Sequence, residues 1–211
     1  MPAGALVFPM QAFVNTGLGD AQCFAAYSTD HGATWKTTGL TPKTLRETPH
    51  NAQENCILEL DDGSWLMMAK GGTWGTGSGR RLFFRTTDFQ TWEQLASIPN
   101  VIHVQGSCLR LGKGSDGIGR YVLAHQIDPN KRAKLALIFG RDLTAANTAA
   151  NTEGIVWDTA NPLMLHAEAT GGMGYVSLCL LDPTTLGVLY EAQGKILFER
   201  IDITPWLVAS P

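Results

Sequence analysis

The segment YSTDHGATW, Tyr27–Trp35, brings together the side chains of this sequence that first suggest chemistry. It holds two hydroxyls, a carboxylate and an imidazole, at Ser28, Thr34, Asp30 and His31. A surface carboxylate among hydroxyls could bind calcium or a sugar. In a competing structural interpretation, Asp30 accepts hydrogen bonds from the amides of a tight turn, Gly32 supplies an otherwise strained conformation and Trp35 packs beneath the turn.

Weaker copies of this segment favour the structural interpretation. The stretch RTTDFQTW, Arg85–Trp92, keeps Asp88 and Trp92 but lacks the glycine and is one residue shorter. A third, eroded copy is FGRDL, which contains Asp142, and the three aspartates are 58 and 54 residues apart. Scaffold copies can degrade independently in this way, whereas copies that share one chemistry would not. We therefore predict that the segment is a turn between strands.

The elements around these turns are predicted to be short β-strands, because β-branched and aromatic runs alternate with Gly, Asp and Pro turns. The eleven predicted strands are ALVFPMQAFV, QCFAAYS, NCILEL, SWLMMAK, RLFFRT, SCLRL, RYVLAHQ, KLALIFG, YVSLCLL, LGVLYEA and KILFERI. The sequences DDG at 61–63 and DPTT at 182–185 predict hairpin turns. A period of roughly 50 residues with about four short strands is typical of a β-propeller blade, and blades must stack to bury their faces.

Composition excludes several classes of protein. The 211 residues suit one larger all-β domain. The net charge of −3, without a basic run, argues against a nucleic-acid partner, and no apolar stretch approaches the ~20 residues of a membrane helix. The five histidines have no metal-ligand spacing, so we predict no metal and no cofactor. Cys56, Cys108 and Cys179 each head an apolar run and are predicted to be small buried residues.

Five segments follow one another in a characteristic order. They are LVFPMQAF before the first turn, NAQENCILELDDGSWLMMAK, VQGSCLRL, HQIDPNKRAKLALIF and GYVSLCLLDPTTLGVLYEAQGKILFERI. This ordered set resembles the sialidase (neuraminidase) superfamily, of the glycoside hydrolase family 33 type. The resemblance implies a six-bladed β-propeller whose repeated turn is called an Asp box, or BNR repeat. Its structural residues here are Ser28, Asp30, Gly32, Thr34, Trp35, Asp88 and Trp92.

The resemblance also implies site residues. Tyr175 of GYVSL falls at the position of the family's nucleophile, although the family more often has Ser where this chain has Val176. Glu54 of QENC falls at the Glu that polarises that Tyr, and Arg132 of NKRAKL at one of three arginines that bind the substrate carboxylate. A second such arginine is expected where this chain has Lys70. Two arginines, at 80 and 81, lie nearby but do not align with that position.

The implied chemistry is consistent with these residue types. A sialic acid carries a carboxylate on its anomeric carbon, and a neutral phenol avoids the like charge that a carboxylate nucleophile would meet there. A phenol with a pKa of ~10 is a poor nucleophile unaided, so a Glu must take its proton. An arginine fork suits the substrate carboxylate, whereas Lys70 keeps the charge but loses the two-point geometry. The resemblance thus implies an exo-α-sialidase acting on sialylated glycans with retention; trans-sialylation is a variant that stays open.

Each of these residues also has an ordinary structural alternative. Tyr175 is a strand aromatic on its own, and Glu54 is a solvated residue before a strand. Lys70 and Arg132 would be surface charges. Only their joint position on the family pattern favours the functional assignment. The competing hypothesis is that the chain is a non-catalytic Asp-box propeller and serves as a binding or interaction protein.

The resemblance covers the C-terminal part of a sialidase domain. At about four strands per blade, residues 1–211 supply roughly three blades and part of another. The family's opening segment, with its first carboxylate-binding Arg and its Asp acid/base, has no counterpart here. Protonation of the leaving group typically contributes roughly 10²–10⁴-fold, so we expect little sialidase activity from this chain alone.

Three explanations for the missing part stay open, of which we favour the first. The chain is a fragment of a longer product, or it associates with a second chain that completes the propeller, or it is a diverged, non-catalytic remnant. No signal peptide is predicted, because the N-terminus lacks a basic region. Members of the family are secreted or bound to the cell surface, so localisation is left open.

Overall fold

The computed structural model describes residues 4–13, 21–42, 52–72, 79–142, 155–167 and 171–208. The chain divides into two compact units, Met1–His103 and Val104–Pro211. Antiparallel strands build both of them. The described part contains no helix that is long and apolar enough to cross a membrane.

All eleven predicted strands are present, and four short strands that the sequence did not indicate join them. The strands are β1 (Leu6–Phe13), β2 (Ala21–Ser28), β3 (Lys36–Thr37), β4 (Gln53–Glu59), β5 (Trp65–Gly71), β6 (Arg80–Thr86), β7 (Glu93–Gln94), β8 (Ser107–Lys113), β9 (Gly119–Gln126), β10 (Leu135–Asp142), β11 (Ile155–Trp157), β12 (Leu163–His166), β13 (Met173–Asp182), β14 (Thr185–Ala192) and β15 (Lys195–Asp202). A single helical turn, α1 (Thr204–Leu207), follows them. The additional strands β3, β7, β11 and β12 are two to four residues long, which is too short for a periodic pattern.

The first unit contains two sheets, ordered β1-β2-β3 and β4-β5-β6-β7. The DDG turn joins β4 to β5 as predicted, with Gly63 at a φ of 80°. Small and large apolar side chains of β2, β5 and β6 share one core, and Trp92 belongs to it. The strands of the second sheet are therefore fixed by packing as well as by their hydrogen bonds.

The second unit also contains two sheets. In one, β8, β9, β10 and β11 are consecutive neighbours and β12 pairs with the first half of β10. In the other, β13-β14-β15 is a meander whose first turn is the predicted DPTT sequence. The apolar faces of β9, β10, β13 and β14 form the core, and Ile203 and Trp206 close it from the C-terminal side.

The cysteines only partly follow the prediction. All four are free thiols; Cys108 is buried and Cys56 is half-buried. Cys23 is buried too, and this burial raises the pKa of its thiol to about 12. Cys179 is exposed, which corrects the prediction of a buried residue. The reason is that Cys179 lies in the last half of the long strand β13, where most side chains are exposed.

Candidate functional site

The turn between β2 and β3, called here the Asp30 turn, uses its carboxylate internally. Asp30 Oδ1 accepts hydrogen bonds from the Ser28 hydroxyl at 2.7 Å and the Thr34 N–H at 2.8 Å, and Oδ2 accepts one from the Thr34 hydroxyl at 2.5 Å. The Thr34 hydroxyl, the Thr34 N–H and then the Ser28 hydroxyl lower the pKa of Asp30 from 3.8 to about 2. Trp35 Nε1 donates to the Gly32 carbonyl at 3.1 Å. These bonds occupy the groups that a ligand would need.

The turn after β6, called here the Asp88 turn, has the same internal geometry in a shorter form. Asp88 Oδ1 accepts the N–H groups of Gln90 at 2.8 Å and Thr91 at 2.9 Å. The Thr91 N–H, followed by the Gln90 N–H, lowers the pKa of Asp88 to about 2. The residue after the aspartate has a positive φ in both turns, 57° at His31 and 60° at Phe89. The shared backbone supports a structural role for both segments.

The tryptophans of the two turns differ, and the aspartate of the third copy makes other contacts. Trp35 is 44% exposed, whereas Trp92 is buried and donates to the Thr38 hydroxyl at 3.1 Å. Asp142 lies inside β10 and accepts the Tyr121 hydroxyl at 2.8 Å and the Gly119 N–H at 3.2 Å. Asp142 therefore ties β10 to β9, in contrast to the interpretation of FGRDL as an eroded turn. Leu143 of that copy lies outside the described residues.

In the first unit, Glu54 has an unusual backbone. It lies in an irregularity of β4, between the pairs that Gln53 and Cys56 form with β5, and its φ is 44°. Its N–H donates to the Gln11 side chain at 2.7 Å, and the neighbouring Asn55 side chain donates to the Met10 carbonyl at 2.7 Å. A non-glycine residue with positive φ in a bulge costs free energy, and such strain is concentrated at functional sites.

The carboxylate of Glu54 contacts one cation and interacts electrostatically with a second. Lys70 Nζ lies 2.7 Å from Glu54 Oε2, and the Lys70 side chain is 5% exposed. Lys70 pairs with Arg81 across β5 and β6, so the two side chains lie on the same face of the sheet. Arg81 is fully buried, and this burial lowers its pKa to about 10 while Cys56 and Glu54 act in the opposite direction. Glu54 is thus ion-paired with the nearly buried Lys70 and stabilises the charged form of the buried Arg81.

In the second unit, three side chains fix the backbone around Tyr175. Gln105 donates to the Val176 carbonyl at 3.0 Å and accepts the Val176 N–H at 2.9 Å. Gln126, which is buried, donates to the Gly174 carbonyl at 2.5 Å. Glu191 Oε2 accepts the N–H of Tyr175 itself at 3.2 Å. The residues before and after Tyr175, and its own amide, are therefore held while its side chain remains 47% exposed.

Two adjoining pockets flank Glu191. One has a volume of about 270 Å³, and its lining includes Tyr175 and Gln105. The other has a volume of about 460 Å³, and its lining includes Arg132 and Lys195. Glu191 and Ile196 belong to both linings. The Arg132 carbonyl accepts the Met173 N–H at 3.1 Å, which ties the loop that carries Arg132 to the start of β13. The second unit thus brings Tyr175 and Arg132 to neighbouring pockets.

Solved structures match this chain over nearly its whole length. The intramolecular trans-sialidase from Ruminococcus gnavus, in complex with oseltamivir carboxylate, covers 99% of the chain at 22% identity and a TM-score of 0.69. The Hadza microbial sialidase Hz136 covers 97% at 19% identity and a TM-score of 0.71. The fold is sialidase-like. The alpha-L-arabinanase of Penicillium chrysogenum, another glycosidase, covers 97% at 12% identity and a TM-score of 0.62.

These matches confirm the all-β fold of the sialidase type, and the four described sheets agree with three to four predicted blades. The chain spans 42% of the trans-sialidase chain and 36% of the Hz136 chain. No protein-family model matches the sequence, and no curated protein matches it. The identities are low enough that the likeness shows the fold alone.

On this sialidase-like fold, the predicted site residues fall into two groups. Glu54 and Lys70 are in contact in the first unit, and Tyr175 and Arg132 line adjoining pockets in the second. The predicted pairing of Glu54 with Tyr175 joins residues of different units and stays a prediction. Lys70, expected to bind a substrate carboxylate, contacts Glu54, and its substrate-binding role stays a prediction. Over the described ranges, no group of three His, Cys, Asp or Glu residues could hold a metal ion.

Sequence reasoning missed the residues that hold Tyr175. Gln105 lies in the segment VQGSCLRL and Glu191 in the predicted strand LGVLYEA. The sequence predicts these segments, but it indicates no role for the two side chains. Gln126 ends a predicted strand. A glutamine that binds backbone groups 48 to 71 residues away leaves no local pattern. One signal was available: Gly174 precedes Tyr175, and a Cβ there would lie 1.7 Å from Glu191 Oε2.

Proposed function

We propose that this chain carries the nucleophile of a sialidase-type glycoside hydrolase, which cleaves terminal sialic acid with retention. The observation that carries the proposal is the Tyr175 backbone, held by Gln105, Gln126 and Glu191 while the phenol faces an open pocket. A nucleophile gains from such positioning, because a fixed geometry removes entropy from the activation barrier. A strand aromatic that only packs needs no such support.

The proposed reaction forms and breaks bonds at the anomeric carbon. The Tyr175 oxygen attacks this carbon, the phenol proton passes to a carboxylate, which we assign to Glu54, and the bond to the leaving group breaks as its oxygen takes a proton from solvent water. Water then attacks the same carbon and releases a proton to solvent, while the tyrosine oxygen leaves and takes its proton back from Glu54. Two displacements give retention. Arg132 is assigned to the substrate carboxylate, because a guanidinium can bind it at two points.

Lys70 receives a different role from the one that the resemblance implies. Its ammonium is nearly buried and bonded to Glu54 at 2.7 Å, so it is already engaged. We assign Lys70 to holding the Glu54 carboxylate in place. A lysine suits this role, because one compact charge can meet one carboxylate oxygen.

A fluorinated sialic acid with fluoride at the anomeric carbon tests the nucleophile directly. Fluoride needs no proton to leave, so the covalent step can be observed without a general acid. We expect one sialyl adduct per chain, mapped to Tyr175 by peptide mass spectrometry. The adduct should be absent in Tyr175→Phe, present in the matched control Tyr27→Phe, and form at least 10²-fold more slowly in Glu54→Gln.

The same experiment separates the proposal from its competitor. The competitor is a protein that binds glycans without cleaving them, in which the ion pair of Lys70 with Glu54 serves the fold alone. If sialosides bind but no adduct forms on Tyr175 over days, the catalytic proposal is wrong and the binding function stands. An adduct on Tyr190, which also lines the pocket, would equally reject Tyr175 as the nucleophile.

A further inference from the structure

A third pocket lies in the second unit, at the end of β10 and beside α1. It has a volume of about 440 Å³, within the range of small-molecule sites. We call it the Trp157 pocket; its lining includes Arg120, Gly140, Arg141, Trp157, Asp158 and Trp206. Arg141 lies six residues along β10 from Leu135, which is about 20 Å of strand, and Arg132 precedes the opposite end. The Trp157 pocket is therefore separate from the two pockets near Tyr175.

Two indole rings form rigid walls of this pocket. A Cβ at position 140 would lie 2.7 Å from Trp157 Cε3, so the absence of a side chain at Gly140 lets the Trp157 ring pack directly on β10. Trp206 stacks on Phe139, with ring centroids 3.9 Å apart and an angle of 11° between the planes. Arg120 Nε donates to the Trp206 carbonyl at 3.0 Å, which fixes α1. Rigid aromatic surfaces can bind a ligand at low entropic cost.

The charged groups of the pocket differ in the ion pairs and hydrogen bonds that they form with described residues. Arg120 is neutralised by Asp116, with its Nη2 2.7 Å from Asp116 Oδ2. Arg141 is half-buried, and the structure gives its guanidinium no hydrogen bond or ion pair with any described residue. The Asp158 oxygens accept the Asn161 side chain at 3.0 and 3.1 Å, which orients the carboxylate. The pocket thus offers one available cation and one oriented acceptor beside two indoles.

We propose that the Trp157 pocket binds an acidic saccharide, a sugar ring that carries a carboxylate. The C–H face of the ring would pack on the indoles, its carboxylate would pair with Arg141, and its hydroxyls would donate to Asp158. A simple anion would pair only with Arg141 and would be repelled by the carboxylate of Asp158. A neutral sugar would use only the aromatic walls and Asp158. The combination of groups therefore selects a ring with both functions, and this site goes beyond the proposed reaction.

Titration of the full chain by isothermal calorimetry and by tryptophan fluorescence tests this site. The probes are the methyl α-glycoside of N-acetylneuraminic acid and methyl glucuronide, against methyl galactoside and inorganic sulfate. Because sialosides are also proposed to bind near Tyr175, all titrations use Arg132→Gln as the background. We expect saturable binding of at least one acidic sugar, at least tenfold tighter than the neutral sugar or sulfate. The acidic probe that binds more tightly shows whether the site prefers a sialic acid or a uronic acid.

Variants connect this binding to the pocket. Adding Arg141→Gln should weaken binding of the acidic sugar at least tenfold, and Trp157→Phe should reduce the fluorescence change. Arg200→Gln, which removes an exposed arginine elsewhere in the unit, should leave binding unchanged. Thermal melting curves verify that the variants fold. The proposal is overturned by the absence of saturable binding up to about 20 mM, by equal binding of acidic and neutral sugars, or by unchanged binding in Arg141→Gln. None of these outcomes depends on adduct formation at Tyr175.

Discussion

Replacing Glu54 by Gln would remove the ion-pair partner of the nearly buried Lys70 and a negative charge that stabilises the charged form of the buried Arg81. Lys70 is 5% exposed at its side chain and Arg81 is fully buried, so water cannot screen them well. Removing one partner of a buried ion pair costs about 3–5 kcal/mol. Because the Glu54 side chain is 22% exposed, we expect the lower value, about 3 kcal/mol, for the loss in the free energy of unfolding.

Urea denaturation can measure this loss in the first unit. Amide signals of β5 and β6 should be followed, because the chain has two units and a global signal would mix their transitions. With an m-value on the order of 2 kcal/mol/M, the midpoint in urea should fall by about 1.5 M. The double variant with Lys70→Met should regain part of the loss, since the buried ammonium that lost its partner is then absent.

A matched control is present on the same sheet. Asp62 forms an ion pair with Arg85, but their side chains are 53% and 29% exposed. Asp62→Asn should therefore cost less than about 1 kcal/mol. If Glu54→Gln costs no more than this control, the buried ammonium of Lys70 does not depend on Glu54 and the reasoning is wrong.

Three further predictions concern other parts of the chain. Gly174→Ala should slow the labelling of Tyr175 by fluorinated sialic acid at least tenfold, because the new Cβ would displace Glu191. Circular dichroism should show that the sheet is intact. An unchanged labelling rate would contradict the role of Glu191. The hydrogen bonds that lower the pKa of Asp30 to about 2 should stabilise the fold above pH 4, and this stabilisation should be lost as the pH falls from 4 through 2. A titration of the Asp30 carboxyl group by NMR with a midpoint near 3.8 would refute this prediction. Under native conditions a thiol reagent should modify Cys179 first and Cys23 last, which mass spectrometry of time points can verify; early loss of the Cys23 thiol would contradict its burial.

Much of the fold could be predicted because its signals are local. An apolar run flanked by Asp-Gly or Asp-Pro predicts a strand and its turn without reference to any other part of the chain, as for β4 and β5 around Gly63. The Asp30 and Asp88 turns are equally local, since the carboxylate bonds to residues within four positions. Short edge strands such as β11 have no such signal, because neighbouring strands determine their pairing.

The site was less predictable, because its geometry depends on register between strands. Nothing in the sequence near Lys70 indicates that its ammonium would contact Glu54, because the register of the hairpin between them decides which side chains meet. The bulge in β4 and the pairing of Lys70 with Arg81 together produce this contact. The glutamines that hold Tyr175 likewise reach it only after β8, β9 and β13 have assembled.

The two proposed catalytic residues differ in what the fold itself requires of them. Glu54 is ion-paired with Lys70, so a chain without any catalysis would still retain it to avoid an uncompensated buried ammonium. Tyr175 differs in that its side chain is 47% exposed while its backbone is held by Gln105 and Glu191. A scaffold gains little from fixing an exposed phenol, whereas a nucleophile depends on it. Covalent labelling of Tyr175 is therefore the decisive test, and the presence of Glu54 alone does not distinguish an enzyme from a binding protein.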